Sequence, residues 1–237
     1  MFSSDPMKVA VLVFPGSNCD HDCYHAVRHV LGREAQFVWH QQASLTGFDL
    51  VIVPGGFSYG DYLRPGAIAK FSPVMGALAK FAASGGLVLG ICNGFQILTE
   101  AGLLPGALML NSGMKFICRD TYLRVETSNS FVTGRMEKGK VISVPIAHME
   151  GCYITDDDAL KQLEDDDRIL LRYCGPDGRT GAGSNPNGSI GSIAGVLSER
   201  RNVAGMMPHP ERVMETALGG VDGLLVFESI LNSLSAA

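Results

Sequence analysis

Short apolar runs, rich in β-branched residues, alternate with stretches of helical spacing along the first part of the chain. Residues 9–14, 50–53 and 87–91 are apolar at successive positions. Strands of a parallel sheet covered by helices on both sides need this pattern. Helical spacing is read over residues 20–31, with Ser17 and Asn18 as candidate N-caps and Gly32 as the stop. It is read again over residues 67–83, closed by Gly85-Gly86, and over 92–101, closed by Gly102. Strand, loop and helix in alternation predict an α/β fold with a mostly parallel, doubly wound sheet flanked by helices.

The middle of the chain changes character. Residues 122–126 and 141–144 alternate apolar and polar positions, which predicts antiparallel strands added to the main sheet. Two acidic stretches, Asp156-Asp157-Asp158 and Glu164-Asp165-Asp166-Asp167, flank a short helix. The glycine and glutamate that a calcium loop requires are out of register there, so the acids read as helix capping. Residues 222–234 predict a closing helix. With no linker and no internal repeat, the expectation is one domain over residues 7–237, after a disordered or tag-like extension at residues 1–6.

Composition narrows the class. Hydrophobic residues make up 46% of the chain, enough for a sizeable core. Lys and Arg number 19 against 24 Asp and Glu, so the net charge of −5 gives no general attraction to nucleic acid or anionic membrane. No run is long and apolar enough for a membrane helix, and the polar start Met1–Pro6 is no signal peptide. Six cysteines are too few for a disulfide scaffold. A reduced, cytoplasmic chain is expected, in which the Asn187-Gly188-Ser189 sequon is a chance match.

Candidate chemistry begins at Gly90-Ile91-Cys92-Asn93-Gly94, between an apolar run and a helical one. This is a nucleophile elbow with cysteine in place of serine. The helix N-terminus favours thiolate, and the N–H of Asn93 is placed for an oxyanion. By itself the motif also fits a buried structural cysteine. A thiolate that attacks an amide needs a general acid for the leaving nitrogen. His209 in Pro208-His209-Pro210-Glu211 follows an apolar run, at a strand end. Pro210 favours an extended His209, and residues two apart in extended chain point the same way, so Glu211 is expected to orient the ring. By itself this stretch also fits a proline-rich surface turn. Gly55-Gly56, after the second strong strand, offers backbone N–H groups to a ligand. No Lys-Ser or Lys-Thr follows a glycine-rich loop anywhere, so no P-loop is present.

Other residues offer candidate chemistry. Cys19, His21, Cys23, His25 and His29 are dense enough to suggest zinc, but their spacing matches no ligand set, and a helix with partly exposed histidines is favoured, with no metal. His148 and Glu150 repeat the spacing of His209 and Glu211, making His148 the second choice of base. Cys118, Cys152 and Cys174 read as inert small apolar residues, Met109, Met206 and Met207 as core, and Trp39 as a strand end.

Together the motifs resemble the class I glutamine amidotransferases, whose glutaminase domains carry a Cys-His-Glu triad. Gly90-Ile91-Cys92-Asn93-Gly94-Phe95-Gln96, Pro208-His209-Pro210-Glu211 and Pro54-Gly55-Gly56 match that family's patterns. Longer stretches, Pro15 to Asp20, Gly55 to Gly66, Pro145 to Gly151, Asn185 to Ser189 and Gly205 to Arg212, resemble one branch. These are the glutaminase subunits of phosphoribosylformylglycinamidine synthases, in purine synthesis. Met149 stands where a glycine is expected.

The resemblance implies a flavodoxin-like fold and a glutaminase. Cys92 is the implied nucleophile, His209 the proton carrier and Glu211 its orienter. Gly56 and Asn93 form the oxyanion hole, and Gly55 and Gln96 hold L-glutamine. Asp61, Arg64, His148 and Glu150 lie near the site or at a partner interface. The implied partners are a synthetase subunit that binds ATP and Mg2+ and amidates formylglycinamide ribonucleotide, and a small accessory subunit. The chain itself needs no cofactor. Two other readings stay open: the glutaminase of a different synthase, and a non-enzymatic sensor whose Cys92 is oxidised.

Overall fold

The computed structural model describes residues 7–235; the expected extension at residues 1–6 lies outside them. The first strand, β1 (Lys8–Val13), leads into α1 (Asp20–His25) and then β2 (Glu34–Trp39). β3 (Leu50–Val53), α2 (Pro73–Ala83), β4 (Leu87–Ile91) and α3 (Asn93–Glu100) follow. Next come β5 (Ala107–Met109), β6 (Ile117–Val125), β7 (Val141–His148), β8 (Cys152–Ile154) and α4 (Asp157–Asp165). β9 (Ile169–Cys174), β10 (Ile193–Leu197), β11 (Val203–Met206) and α5 (Asp222–Ser235) complete the described residues.

Nine strands form one sheet in the order β2-β1-β3-β4-β11-β10-β9-β6-β7, and β5 pairs with β8 in a separate ribbon. The five strands from β2 to β11 run parallel, and the last four strand pairs are antiparallel. Val9, Ala10, Val51, Ile52, Val88 and Leu89 are wholly buried at successive positions, because helices cover both faces there. The predicted added strands are β6 and β7, and their alternation continues as alternating burial along β7.

Several element ends differ from expectation. α1 begins after Cys19, because Ser17 Oγ accepts from the Phe14 N–H at 3.0 Å and Asn18 Oδ1 takes the Cys19 thiol at 3.1 Å, so neither side chain caps the helix. Past His25 the helix widens into a π turn over Ala26–Val30. α2 starts only at Pro73: the proline holds Ser72 extended, and residues 67–71 form turns instead. α4 is capped by Asp156, whose Oδ1 accepts from the Ala159 N–H at 2.8 Å.

One core expectation fails. Met109 is 51% exposed, because the short β5–β8 ribbon has nothing over that side. Cys118 is exposed because this end of β6 pairs only with β7, beyond the reach of β9. Met206 and Met207 are buried as expected.

Candidate functional site

The loops that leave the carboxyl ends of β1, β3, β4 and β11 converge at one edge of the sheet, where open α/β folds assemble their sites. Cys92 terminates β4 with φ 51° and ψ −107° before α3 begins. A positive φ is costly for a side chain of this kind. Two glycines allow the turn. A Cβ on Gly94 would lie 1.8 Å from the Val53 carbonyl oxygen, and one on Gly90 would lie 2.5 Å from Leu98 Cδ1. The Cys92 N–H donates to the Met206 carbonyl at 2.8 Å, which ties the elbow to β11.

His209 follows β11. Its N–H donates to the Pro145 carbonyl at 2.8 Å, so the antiparallel half of the sheet braces it. Nδ1 lies 2.7 Å from Glu211 Oε1. Glu211 meets the ring, but by another route than extended chain: His209 has φ −105° and ψ 83°, and Pro210–Arg212 curl into a 3-10 turn that brings Glu211 round to the ring. His209 Nε2 and Glu211 Oε2 are buried without a hydrogen-bond partner among the described residues. Burial acts to lower the His209 pKa, but the charge of Glu211, then the Cys92 and Cys19 sulfurs, outweigh it and hold the pKa well above the ordinary value.

Asn93 organises the loop after β3. Its Oδ1 accepts from the Ser58 N–H at 3.1 Å, and its Nδ2 donates to Gln96 Oε1 at 2.9 Å and to Asp61 Oδ1 at 3.3 Å. Gln96 Nε2 in turn donates to the Glu150 carbonyl. Gly56 has φ 145°, and a Cβ there would strike Asn18 N at 2.7 Å. Burial, then the charge of Glu150, push the Asp61 pKa up to about 6, with the Asn93 hydrogen bond opposing. Asp61, Gln96 and Glu150 are thus gathered with the elbow. Arg64 is not: it makes a two-pronged pair with Glu100 at 2.6 and 2.8 Å, on an exposed side chain.

His148 is buried near His209 but is held differently from it. Its Nδ1 lies 3.1 Å from Asn111 Oδ1, and among the described residues no carboxylate is hydrogen-bonded to the ring. Burial, then the charge of His209, lower its pKa to about 4. The strand ends at His148, so the two-residue spacing to Glu150 does not bring the side chains together.

The dense Cys/His segment splits. His21, His25 and His29 face solvent, whereas Cys19 and Cys23 are buried. Cys19 joins the site instead: its sulfur and donor atoms of His209 and Glu211 lie within 4.8 Å of one another. The Arg212 guanidinium donates to that sulfur at 3.0 Å, which opposes a cation there. Sequence reasoning missed the placement of Cys19, Arg212 and Asn111. For Cys19 a signal existed, since the loop after β1 opens at the same sheet edge as the elbow after β4.

The sequence signature of the CobB/CobQ-like glutamine amidotransferase domain matches residues 6–219. A phosphoribosylformylglycinamidine synthase subunit PurQ from Salinibacter ruber is 56% identical over 228 residues, covering 96% of this chain and 97% of its own. The same subunit from Moorella thermoacetica is 54% identical over 226 residues, covering 95% of this chain and 96% of its own. A chain in the structure of PurLQS from Thermotoga maritima superposes with a TM-score of 0.86 at 46% identity, covering 97% of this chain and all (100%) of that one.

Proposed function

We propose a function from one premise: the chain belongs to the CobB/CobQ-like glutamine amidotransferase family, within the branch of PurQ subunits of phosphoribosylformylglycinamidine synthase. It hydrolyses L-glutamine to glutamate and ammonia. The ammonia goes to a separate ATP-dependent synthetase subunit, which converts formylglycinamide ribonucleotide to formylglycinamidine ribonucleotide. The observation that carries this reading is the His209–Glu211 pair at 2.7 Å, gathered at one sheet edge with a cysteine held on a strained elbow.

The residues divide the work as follows. The Cys92 thiolate attacks the side-chain amide carbon of glutamine, and the N–H groups of Gly56 and Asn93 stabilise the oxyanion. His209, protonated, gives its Nε2 proton to the departing nitrogen, so ammonia leaves and a glutamyl thioester remains. Neutral His209 then takes a proton from water. The hydroxide attacks the thioester, glutamate leaves and the thiolate returns. Glu211 stays ionised and keeps Nδ1 protonated throughout. Gly55 and Gln96 line the place of the substrate.

Asp61 and Glu150 belong to the same end of the site, and their raised pKa values fit a desolvated pocket. Arg64 and the exposed residues near it suit the partner interface. ATP and Mg2+ belong to the synthetase subunit, and a small accessory subunit completes the complex. A biosynthetic role beside the synthetase subunit fits the cytoplasm, and no helix among the described residues is long and apolar enough to cross a membrane.

The test is glutamate release from glutamine, with and without reconstituted synthetase and accessory subunits, ATP and formylglycinamide ribonucleotide. Release is expected to be low for the chain alone and to rise in the complex. Absence of Cys92-dependent release in the full mixture would overturn the reading.

A further inference from the structure

The turn after β1 has no part in the reaction as described above, yet it reaches the catalytic pair. Cys19 is 1% exposed. A Cβ placed on Gly55 would meet the Cys19 sulfur at 3.0 Å, His209 Cε1 at 2.8 Å and Cys92 Cβ at 3.4 Å. Base, nucleophile and second thiol therefore close around one glycine. The sulfur has two polar partners of its own. Its S–H donates to Asn18 Oδ1 at 3.1 Å, and Arg212 Nη2 donates to it at 3.0 Å. The Cys19 N–H donates to the Gly55 carbonyl at 3.2 Å. Arg212 follows Glu211 directly, and its Nε lies 3.4 Å from Asp22 on α1. One residue thus joins the loop that carries Gly55 and Gly56 to the turn that carries His209 and Glu211.

We propose that Cys19 is a positioning residue of the glutaminase site, its sulfur anchoring Arg212 and seating the His209 ring beside Cys92. The inference rests on the roles given above to Cys92 and His209. Without the sulfur, the Arg212 guanidinium loses an acceptor in a half-buried place, next to the pair it follows in sequence. Its positive charge is then less well compensated beside an imidazolium.

The groups that face His209 decide the sign. From its own turn comes Glu211, with Arg212 turned to Cys19 and Asp22; from the elbow comes Cys92, from the turn after β1 Cys19, and from β7 His148. Glu211 and the two sulfurs favour the protonated ring, burial disfavours it, and His148, with a pKa of about 4, is neutral at the working pH. Removing Cys19 shifts that balance against the imidazolium. The active thiolate–imidazolium pair then loses its proton at a lower pH.

Cys19→Ala and Cys19→Ser distinguish this role from packing. In the assembled complex, Cys19→Ala is expected to lower kcat for glutamate release about tenfold with KM nearly unchanged, and Cys19→Ser to recover most of it. The alkaline limb of kcat/KM is expected to move down by about half a pH unit or more in Cys19→Ala only. A second readout needs no turnover: the pH dependence of Cys92 alkylation by iodoacetamide on the full chain, mapped by mass spectrometry, should shift in the same direction. An activity loss with both pH profiles superimposed on wild type would reduce Cys19 to packing and overturn the proposal, as would wild-type kinetics in Cys19→Ala. Wild type that releases no glutamate while its Cys92 alkylation profile still responds to Cys19 would sink the glutaminase reading and leave the positioning intact.

Discussion

Glu211 and His209 meet at 2.7 Å with side chains only 0% and 2% exposed. A buried carboxylate next to Nδ1 fixes the proton there and leaves Nε2 for the thiol. Glu211→Gln keeps the volume and removes the charge that favours imidazolium. A loss in kcat of about 10²–10⁴-fold is expected, with a much smaller change in KM. Steady-state glutamate release in the complex measures it; a loss below about threefold would remove Glu211 from the mechanism.

Cys92→Ala separates the two half-reactions. Glutamine-dependent synthesis should fall to background, because no other thiol takes the elbow position. Synthesis from added ammonium salts should persist at the wild-type rate, since the synthetase subunit supplies that chemistry. Loss of both activities would assign Cys92 to folding or assembly.

Gly94→Ala tests the elbow as a packing device. The added Cβ would lie 1.8 Å from the Val53 carbonyl oxygen, and a backbone atom in β3 has nowhere to go. A destabilisation of about 3 kcal/mol or more is expected in urea unfolding. Wild-type stability would mean that β3 and α3 can separate without cost.

His148 makes stability depend on pH. Its folded pKa of about 4 lies below the ordinary value of 6.5. Between those values the unfolded chain takes up a proton that the folded chain does not, so its contribution is complete above the unfolded pKa and is lost as pH falls. Asp61, raised to about 6 from 3.8, has the opposite sign over its own window. His148→Gln isolates the histidine. From pH 7 to 4.5, wild type should lose about 2–3 kcal/mol more than the variant in urea unfolding. Equal losses would show that His148 is not held neutral by burial.

Much of the site was legible because its chemistry is local. The elbow glycines act on the two neighbours of Cys92, and Glu211 reaches His209 within a single turn. Residues that act across the fold were harder to read. Asn111 holds His148 from 37 residues away, and Arg212 meets Cys19 from 193 residues away. No periodicity encodes such pairs. The same limit applies to His148 and Glu150, whose spacing imitates that of His209 and Glu211, while the strand ends at His148 and Asn111 takes its Nδ1.

What the residues alone determine is the alternation of strand and helix, the breaks at Gly and Pro, and the three short motifs, because each depends on neighbours within one turn. The order of the strands, the Glu211 charge that raises the His209 pKa against its burial, the burial that lowers the His148 pKa, the exposure of Met109 and Cys118, and the entry of Cys19 into the site were decided only by tertiary structure. Each depends on which distant element covers a given face, and covering is a property of packed layers, to which no stretch of sequence responds by itself.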